Sequence, residues 1–300
     1  MKLRFSDILK EAFLGPLLKF LSLLPLFWLR YIGSLVGIVG LKVSKKNAKR
    51  LKENLLNAGI CTPENIDVVA QKTAIETGKT VVESLCITWQ NSQAQIASLV
   101  VEAINFEAVE EASKLGKAIL FITPHLGNFE IVASYTQKRL KKKFTVLYKP
   151  SKDKWFTRLM VEGRSRSGLT PVPTTRYGVL AMARALKNGE IAGILPDSVA
   201  SESDGVWTNF FGKKVFATTL TAKLVKFDNV ATFIVAPLRV KDGFIGNYVP
   251  FRTEETDTAK IVQEVYNELE KLILMAPTQY YWSYDRFRIP DHAKNVESKV

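Results

Sequence analysis

The sequence predicts an α/β protein, with a mostly parallel mixed sheet flanked by helices behind an N-terminal membrane-associated helical segment. Three observations carry this reading. Short, wholly apolar runs such as Ala118–Thr123 (AILFIT) and Ile191–Leu195 have the pattern of strands buried on both faces. They alternate with segments of helical period, as parallel pairing requires. Near the start, Phe20–Leu41 is apolar except for Arg30 and small polar residues, about as long as the ~20 residues that cross a bilayer.

Pro25 interrupts that first run and Arg30 falls near its middle. A bent helix lying in the membrane interface accommodates both. Arg30 would snorkel to lipid phosphates while Leu23, Leu24, Leu26, Phe27 and Trp28 dip into the acyl region. A helix pair buried in a soluble core is the other reading. Asp7 and Glu11 spoil a signal peptide, and no small-residue cleavage site follows. Lys42, Lys45, Lys46, Lys49, Arg50 and Lys52 make the following side the more basic one. That places the rest of the chain in the cytoplasm and lets it hold anionic headgroups. The expected organisation is residues 1–42 as membrane-associated helix or helices and 43–300 as one α/β domain.

The body reads in order. Lys45–Gly59 and Ile66–Gln90 have helical spacing. The strand Ala118–Thr123 is bounded by Gly116 and Pro124, and a helix Phe129–Leu140 follows. Phe144–Tyr148 reads as a strand, Trp155–Arg166 as a helix and Thr170–Val172 as a short strand. The helix Tyr177–Lys187 stops at Asn188-Gly189 before the strand Ile191–Leu195. After an irregular segment come a helix, Ala217–Phe227, and a strand, Thr232–Val240. Lys241-Asp242-Gly243 has turn chemistry, so Phe244–Pro250 returns as a hairpin partner. Asp257–Met275 is a last amphipathic helix, and the polar tail His292–Val300 is expected to fray.

A formal net charge of +13 favours anionic partners: nucleic acid, anionic lipid or acidic proteins. No helix-turn-helix or aromatic RNA-binding strand motif is evident, which argues against nucleic acid. The two cysteines, Cys61 and Cys86, form neither a metal cluster nor a disulfide framework. No G-x-S-x-G element supports a serine hydrolase.

Pro124–Glu130 (PHLGNFE) is the segment that carries chemistry. His125 directly follows a buried strand, where ligands of α/β sheets bind. Gly127 permits close backbone approach, and Asn128 can begin the next helix, whose N–H groups can face an oxyanion. In one regular helix, His125 and Glu130 would point roughly 140° apart. They cooperate only if His125 lies in the loop and Glu130 in the first helical turn, where the carboxylate can orient the imidazole. An ordinary loop histidine with a dipole-favoured glutamate fits the same spacing.

HLGNFE after an apolar strand resembles the H-x4-(D/E) motif of the lysophospholipid acyltransferase superfamily, and the rest resembles its late lipid A acyltransferase branch. LPLFWLRYIGSLVG is similar to that family's membrane-binding start and KRLKENLLNAG to its R-x-x-x-N-L stretch. VLYKP with EGRSRSG, LKNGEIAGILPDS, WTNFFGKKVFATT and APTQYYWSYDRFR resemble its later elements, in the family's order. Ser198 departs from the glutamine or similar polar residue usual after the Pro-Asp pair, which puts its share of substrate contact in doubt.

The resemblance implies a glycerol-3-phosphate acyltransferase-like fold and an O-acyltransferase that uses neither metal nor cofactor. His125 would deprotonate an acceptor hydroxyl for attack on an acyl thioester, with Glu130 orienting it. Arg164 would bind sugar-linked phosphate or the oxyanion, with Arg166 in a lesser share. Asp197 would contact the acceptor or hold an arginine, beside Gly127 and Asn128. Phe210, Phe211, Thr218 and Thr219 would line an acyl groove or pack the core, and Trp282, Tyr284 and Arg286 would be structural. The implied donor is acyl carrier protein or acyl-CoA, the acceptor a lipid A precursor, and the place the cytoplasmic face of the bacterial inner membrane. A lysophospholipid or mannosylated glycolipid is the alternative acceptor. A non-enzymatic basic membrane-binding protein is the reading outside enzymology.

Overall fold

The computed structural model describes residues 5–87, 93–201 and 204–290. A seven-stranded sheet forms the centre, in the order β1-β9-β8-β2-β5-β3-β4. The strands are β1 (Val100–Ile104), β2 (Ala118–Ile122), β3 (Phe144–Tyr148), β4 (Leu169–Pro173), β5 (Ile191–Ile194), β8 (Val230–Val240) and β9 (Gly243–Phe251). Strands β8, β2, β5, β3 and β4 run parallel, while β9 returns antiparallel to β8 and carries β1 alongside it. The mixed, mainly parallel sheet therefore stands as expected, with an edge that the sequence reading did not include.

The alternation of side chains along β2 separates two cores. Ala118, Leu120 and Ile122 face one side, where α3 (Lys45–Asn57), α9 (Arg176–Lys187) and α11 (Thr258–Met275) cover the sheet. Ile119 and Phe121 face the other, against α6 (Phe106–Lys114) and α7 (Phe129–Leu140). All five β2 residues are buried, which is why the run is continuously apolar.

Two expectations need correction here. The segment read as irregular holds a hairpin, β6 (Gly205–Phe210) and β7 (Lys213–Thr218), and the helix expected from Ala217 is the short α10 (Leu220–Val225). Phe211 and Gly212 form its two-residue turn with φ of 50° and 70°, a type I′ geometry. Phe210 is fully buried and Phe211 packs against the same core, so these aromatics are core residues. Thr218 and Thr219 hydrogen-bond to Asp204, and Thr218 borders the polar groove described below. The tail from His292 and the last residues of the expected Ile66–Gln90 helix lie outside the described residues.

The N-terminus forms α1 (Phe5–Ser22) and α2 (Leu26–Val43), broken at Pro25. Helix α2 is the one described helix long and apolar enough to cross a membrane. Its Leu29, Gly33 and Gly37 are buried against α4 (Ile66–Ile87). A β-carbon at Gly37 would come within 2.0 Å of the Ala74 carbonyl oxygen, and one at Gly78 within 2.1 Å of that of Gly33. The helices thus meet backbone to backbone. The opposite face exposes Phe27, Trp28, Tyr31, Leu35, Val36 and Val39. Leu23 is also exposed, whereas Leu24 and Leu26 pack partly into the core.

Arg30 does not snorkel. Its guanidinium bonds Glu83 on α4 at 2.9 Å and the carbonyl oxygens of Val240, Lys241 and Gly243 at 2.6 to 2.8 Å. A guanidinium offers five donors in a planar fork; Glu83 takes one and the β8–β9 turn takes three.

Gly37→Leu is expected to force α2 off α4, at a cost of about 2 kcal/mol or more. Thermal unfolding in detergent should show a midpoint lower by roughly 5 °C. An unchanged midpoint would mean that the helix contact is not tight.

Candidate active site

β2 and β5 are neighbours, with Ile122 opposite Ile194. His125 and Asp197 each lie three positions past that last pair, so two residues far apart in sequence emerge side by side. His125 Nδ1 and Asp197 Oδ1 are 2.7 Å apart, and the His125 backbone N–H donates to Asp197 Oδ2 at 2.9 Å. The Tyr280 hydroxyl donates to the same oxygen at 3.0 Å. Asp197 is buried, which opposes ionisation, but the charge and hydrogen bonds of His125 outweigh this and hold its carboxyl below the usual carboxylate range. A carboxylate at Nδ1 means that this nitrogen carries the proton in neutral imidazole, leaving Nε2 as the basic nitrogen. The ring stays one-third exposed and packs edge-on against Phe129.

Glu130 lies in the first turn of α7, as expected, but it does not orient His125. Its carboxylate receives Arg164 Nε at 2.9 and 3.1 Å and Nη2 at 2.5 Å. Arg164 stands near the end of α8 (Lys154–Arg166). Burial works against its charge, and Glu130 more than restores it. Asp197, read as an acceptor contact or an arginine ligand, has its hydrogen bonds at His125 and Tyr280, and the charge of Arg286 also helps to keep it ionised. Arg166 is exposed and is not among the lining residues of either groove at His125.

Gly127 adopts φ +54°, and a β-carbon there would lie 1.7 Å from the Pro237 carbonyl oxygen, so only glycine fits. Asn128 is buried at the start of α7; Ser84 Oγ approaches its Oδ1 at 3.4 Å, and its Nδ2 has no hydrogen-bond partner among the described residues.

Two grooves meet at His125. One of about 200 Å³ is almost wholly apolar and is lined by Val81, Leu85, Phe129, Phe156, Met160 and Tyr281. Val81 and Tyr281 also border a cavity against Val36, Gly37 and Gly40 of α2, so this groove adjoins one that reaches the N-terminal helices. The other, about 480 Å³, is more polar, with Lys149, Ser151, Thr157, Ser198 and Ser201 among its walls. Ser198 therefore borders the site despite its short side chain. Arg164 borders the polar groove and Glu130 the apolar one, while His125, Phe129, Phe156 and Met160 border both.

Tyr280 was missed as a site residue, although its stretch, PTQYYW, was conspicuous. Other conspicuous stretches meet behind the site. Asn54 donates to the carbonyl oxygens of Trp282 and Tyr284 at 2.6 and 2.7 Å, Arg50 pairs with Asp285 at 2.9 Å, and the Val199 N–H donates to the Tyr284 hydroxyl at 3.1 Å.

The mainly parallel α/β sheet thus carries a histidine–carboxylate pair at its strand ends, bordered by an apolar and a polar groove. The sequence profile of the bacterial lipid A biosynthesis acyltransferases matches residues 6–289, and the chain belongs to that family. It is 26% identical over 265 residues to the lipid A biosynthesis lauroyltransferase of Escherichia coli (strain K12), covering 86% of this chain and 84% of the relative. The palmitoleoyltransferase of the same strain is 23% identical over 276 residues, covering 88% and 86%. A lipid A biosynthesis acyltransferase of Haemophilus influenzae is 26% identical over 190 residues, covering 60% and 57%.

Because the Asp197 pKa is lowered on folding, its ionised form adds stability above the ordinary carboxylate range, and that stability is lost as the pH falls through the folded value. Asp197→Asn should therefore unfold more easily than the parent at neutral pH. The gap in denaturation midpoint should narrow from about pH 5 downward. A gap that stays constant would mean that the carboxylate is not ionised in the fold.

Proposed function

We propose that the protein transfers a fatty acyl chain from an acyl thioester to a hydroxyl of a lipid A precursor, with His125 as general base. The observation that carries this is His125 bound through Nδ1 to a buried carboxylate while its ring borders both grooves. Nε2 takes the acceptor's proton as the hydroxyl oxygen attacks the thioester carbonyl. Asp197 orients the ring and stabilises the imidazolium. Collapse of the tetrahedral intermediate expels the thiolate, which takes the proton from His125. The first turn of α7 and Arg164 supply positive potential for the oxyanion, and Glu130 holds Arg164 in place. Gly127 and Asn128 shape the approach to that turn, and Arg166, outside both grooves, adds only to the positive charge of the surface around them.

The acidic acyl carrier protein is the donor that a +13 chain attracts best, with acyl-CoA as the other. We read the sheet as the glycerol-3-phosphate acyltransferase type. We place the enzyme on the cytoplasmic face of the bacterial inner membrane, with residues 1–42 as its membrane-facing part. The exposed apolar face of α2 supports contact with lipid, and its packed opposite face favours lying in the interface over crossing the bilayer.

Purified protein offered acyl carrier protein and CoA thioesters with a tetra-acylated lipid A precursor should transfer acyl chains. His125→Ala should lower the rate by roughly 10³-fold or more. Transfer only to another lysolipid would change the acceptor class. No transfer to any acceptor would favour a membrane-binding role without catalysis.

A further inference from the structure

The turn that carries His125 is clamped from three sides. The Gly127 N–H donates to the Gln279 carbonyl oxygen at 3.1 Å, and the Tyr281 N–H donates to that of His125 at 3.0 Å. On the sheet side, the Pro237 carbonyl abuts Gly127. On the helix side, Thr80 Oγ1 of α4 donates to the Gly127 carbonyl oxygen at 3.0 Å. The first two walls are themselves joined: the Arg239 N–H donates to Gln279 Oε1 at 2.8 Å, and Gln279 Nε2 donates to the Arg239 carbonyl oxygen at 2.9 Å.

The third contact depends on a hydroxyl with a single proton, for which the Glu76 carbonyl oxygen, 3.1 Å away, competes. Arg239 Nη2 donates to Thr80 Oγ1 at 2.7 Å. That occupies a lone pair of the oxygen and polarises its O–H bond, strengthening the hydroxyl as a donor. The guanidinium is buried and fixed by Glu83 at 2.6 to 3.0 Å and by Glu76 Oε2 at 2.7 Å. Among the described residues, no hydrogen bond or ion pair of Thr80 or Arg239 involves Asp197, so this support is separate from the one that orients the imidazole.

We infer that Thr80, held by Arg239, is a positioning residue for acyl transfer: it fixes the His125–Gly127 turn and hence the place of the imidazole between the two grooves. The inference rests on the reading of His125 as the base. Thr80 also borders the apolar groove, so it must be told apart from a residue that simply contacts substrate.

Removing Arg239 would strand buried carboxylates and endanger the fold, so the variants are Thr80→Val and Thr80→Ser in the full chain. Valine keeps the size and removes the hydroxyl; serine keeps the hydroxyl and removes the methyl. Two readouts are taken: kcat and KM for acyl transfer, and the rate at which diethylpyrocarbonate modifies His125, followed by mass spectrometry of its peptide. Thr80→Val should lose about tenfold in kcat with KM within about twofold of the parent, because a small displacement of the base suffices. Its His125 should be modified about threefold faster than in the parent, as a loosened turn allows more ring exposure. Thr80→Ser should match the parent on both. Parent-like kcat in Thr80→Val, equal impairment of the two variants, or a loss of kcat without faster modification each overturns the inference. If the parent transfers no acyl chain, the proposed function fails, and the modification rates alone decide whether the clamp exists. Equal rates in all three proteins would then refute it.

Discussion

Glu83 is fully buried and is the point at which the helical N-terminus, the sheet and the His125 turn are joined. It accepts from Arg30 of α2 and from Arg239 of β8. Arg239 reaches on to Glu76 and Thr80. A carboxylate with no exposure is tolerable only when it is compensated on several sides, and here two guanidiniums do so. Loss of both partners would leave an uncompensated buried charge, which costs about 3–5 kcal/mol. The helix with the exposed apolar face therefore has one well-defined seat on the domain. The apolar groove at His125 opens beside that seat.

A second constraint is topological. Adjacent parallel strands end at the same height, so residues three positions past the ends of β2 and β5 meet without any feature of local sequence requiring it. The helix that begins after His125 turns Glu130 away from the imidazole and toward Arg164. Two carboxylates near one histidine thus take different partners. In the proposed reaction, one serves the base and the other serves the cation near the developing negative charge.

Much of the fold was legible because buried parallel strands leave continuous apolar runs. The runs at Ala118 and Ile191 proved to be the adjacent central strands that carry the site. The edge strand β1 was not legible: it is largely exposed, and its sequence, VVEAI, has no clear alternation. The β6–β7 hairpin escaped notice because Phe-Gly is an unusual occupant of a type I′ turn, where Phe211 must take a positive φ. At the site, His125 and Glu130 stood out by spacing, and their separate partners did not. Pairing of Asp197 with His125 depends on strand order, which no local pattern encodes. Arg30 was misread for a related reason. An arginine in an apolar helix looks like a snorkelling residue until its distant acceptors, at Glu83 and in the β8–β9 turn, are known.

The division of labour between the two carboxylates is the central claim, and a double-mutant cycle on the transfer rate tests it most directly. Rates would be measured for Asp197→Asn, Glu130→Gln and the double variant. Separate roles predict that the two losses, expressed as RT ln of the kcat ratio, add to within about 0.5 kcal/mol. A double variant no slower than the worse single variant would contradict this, because residues that act as one unit are strongly non-additive. Glu130 would then belong with Asp197 and His125 in a single relay.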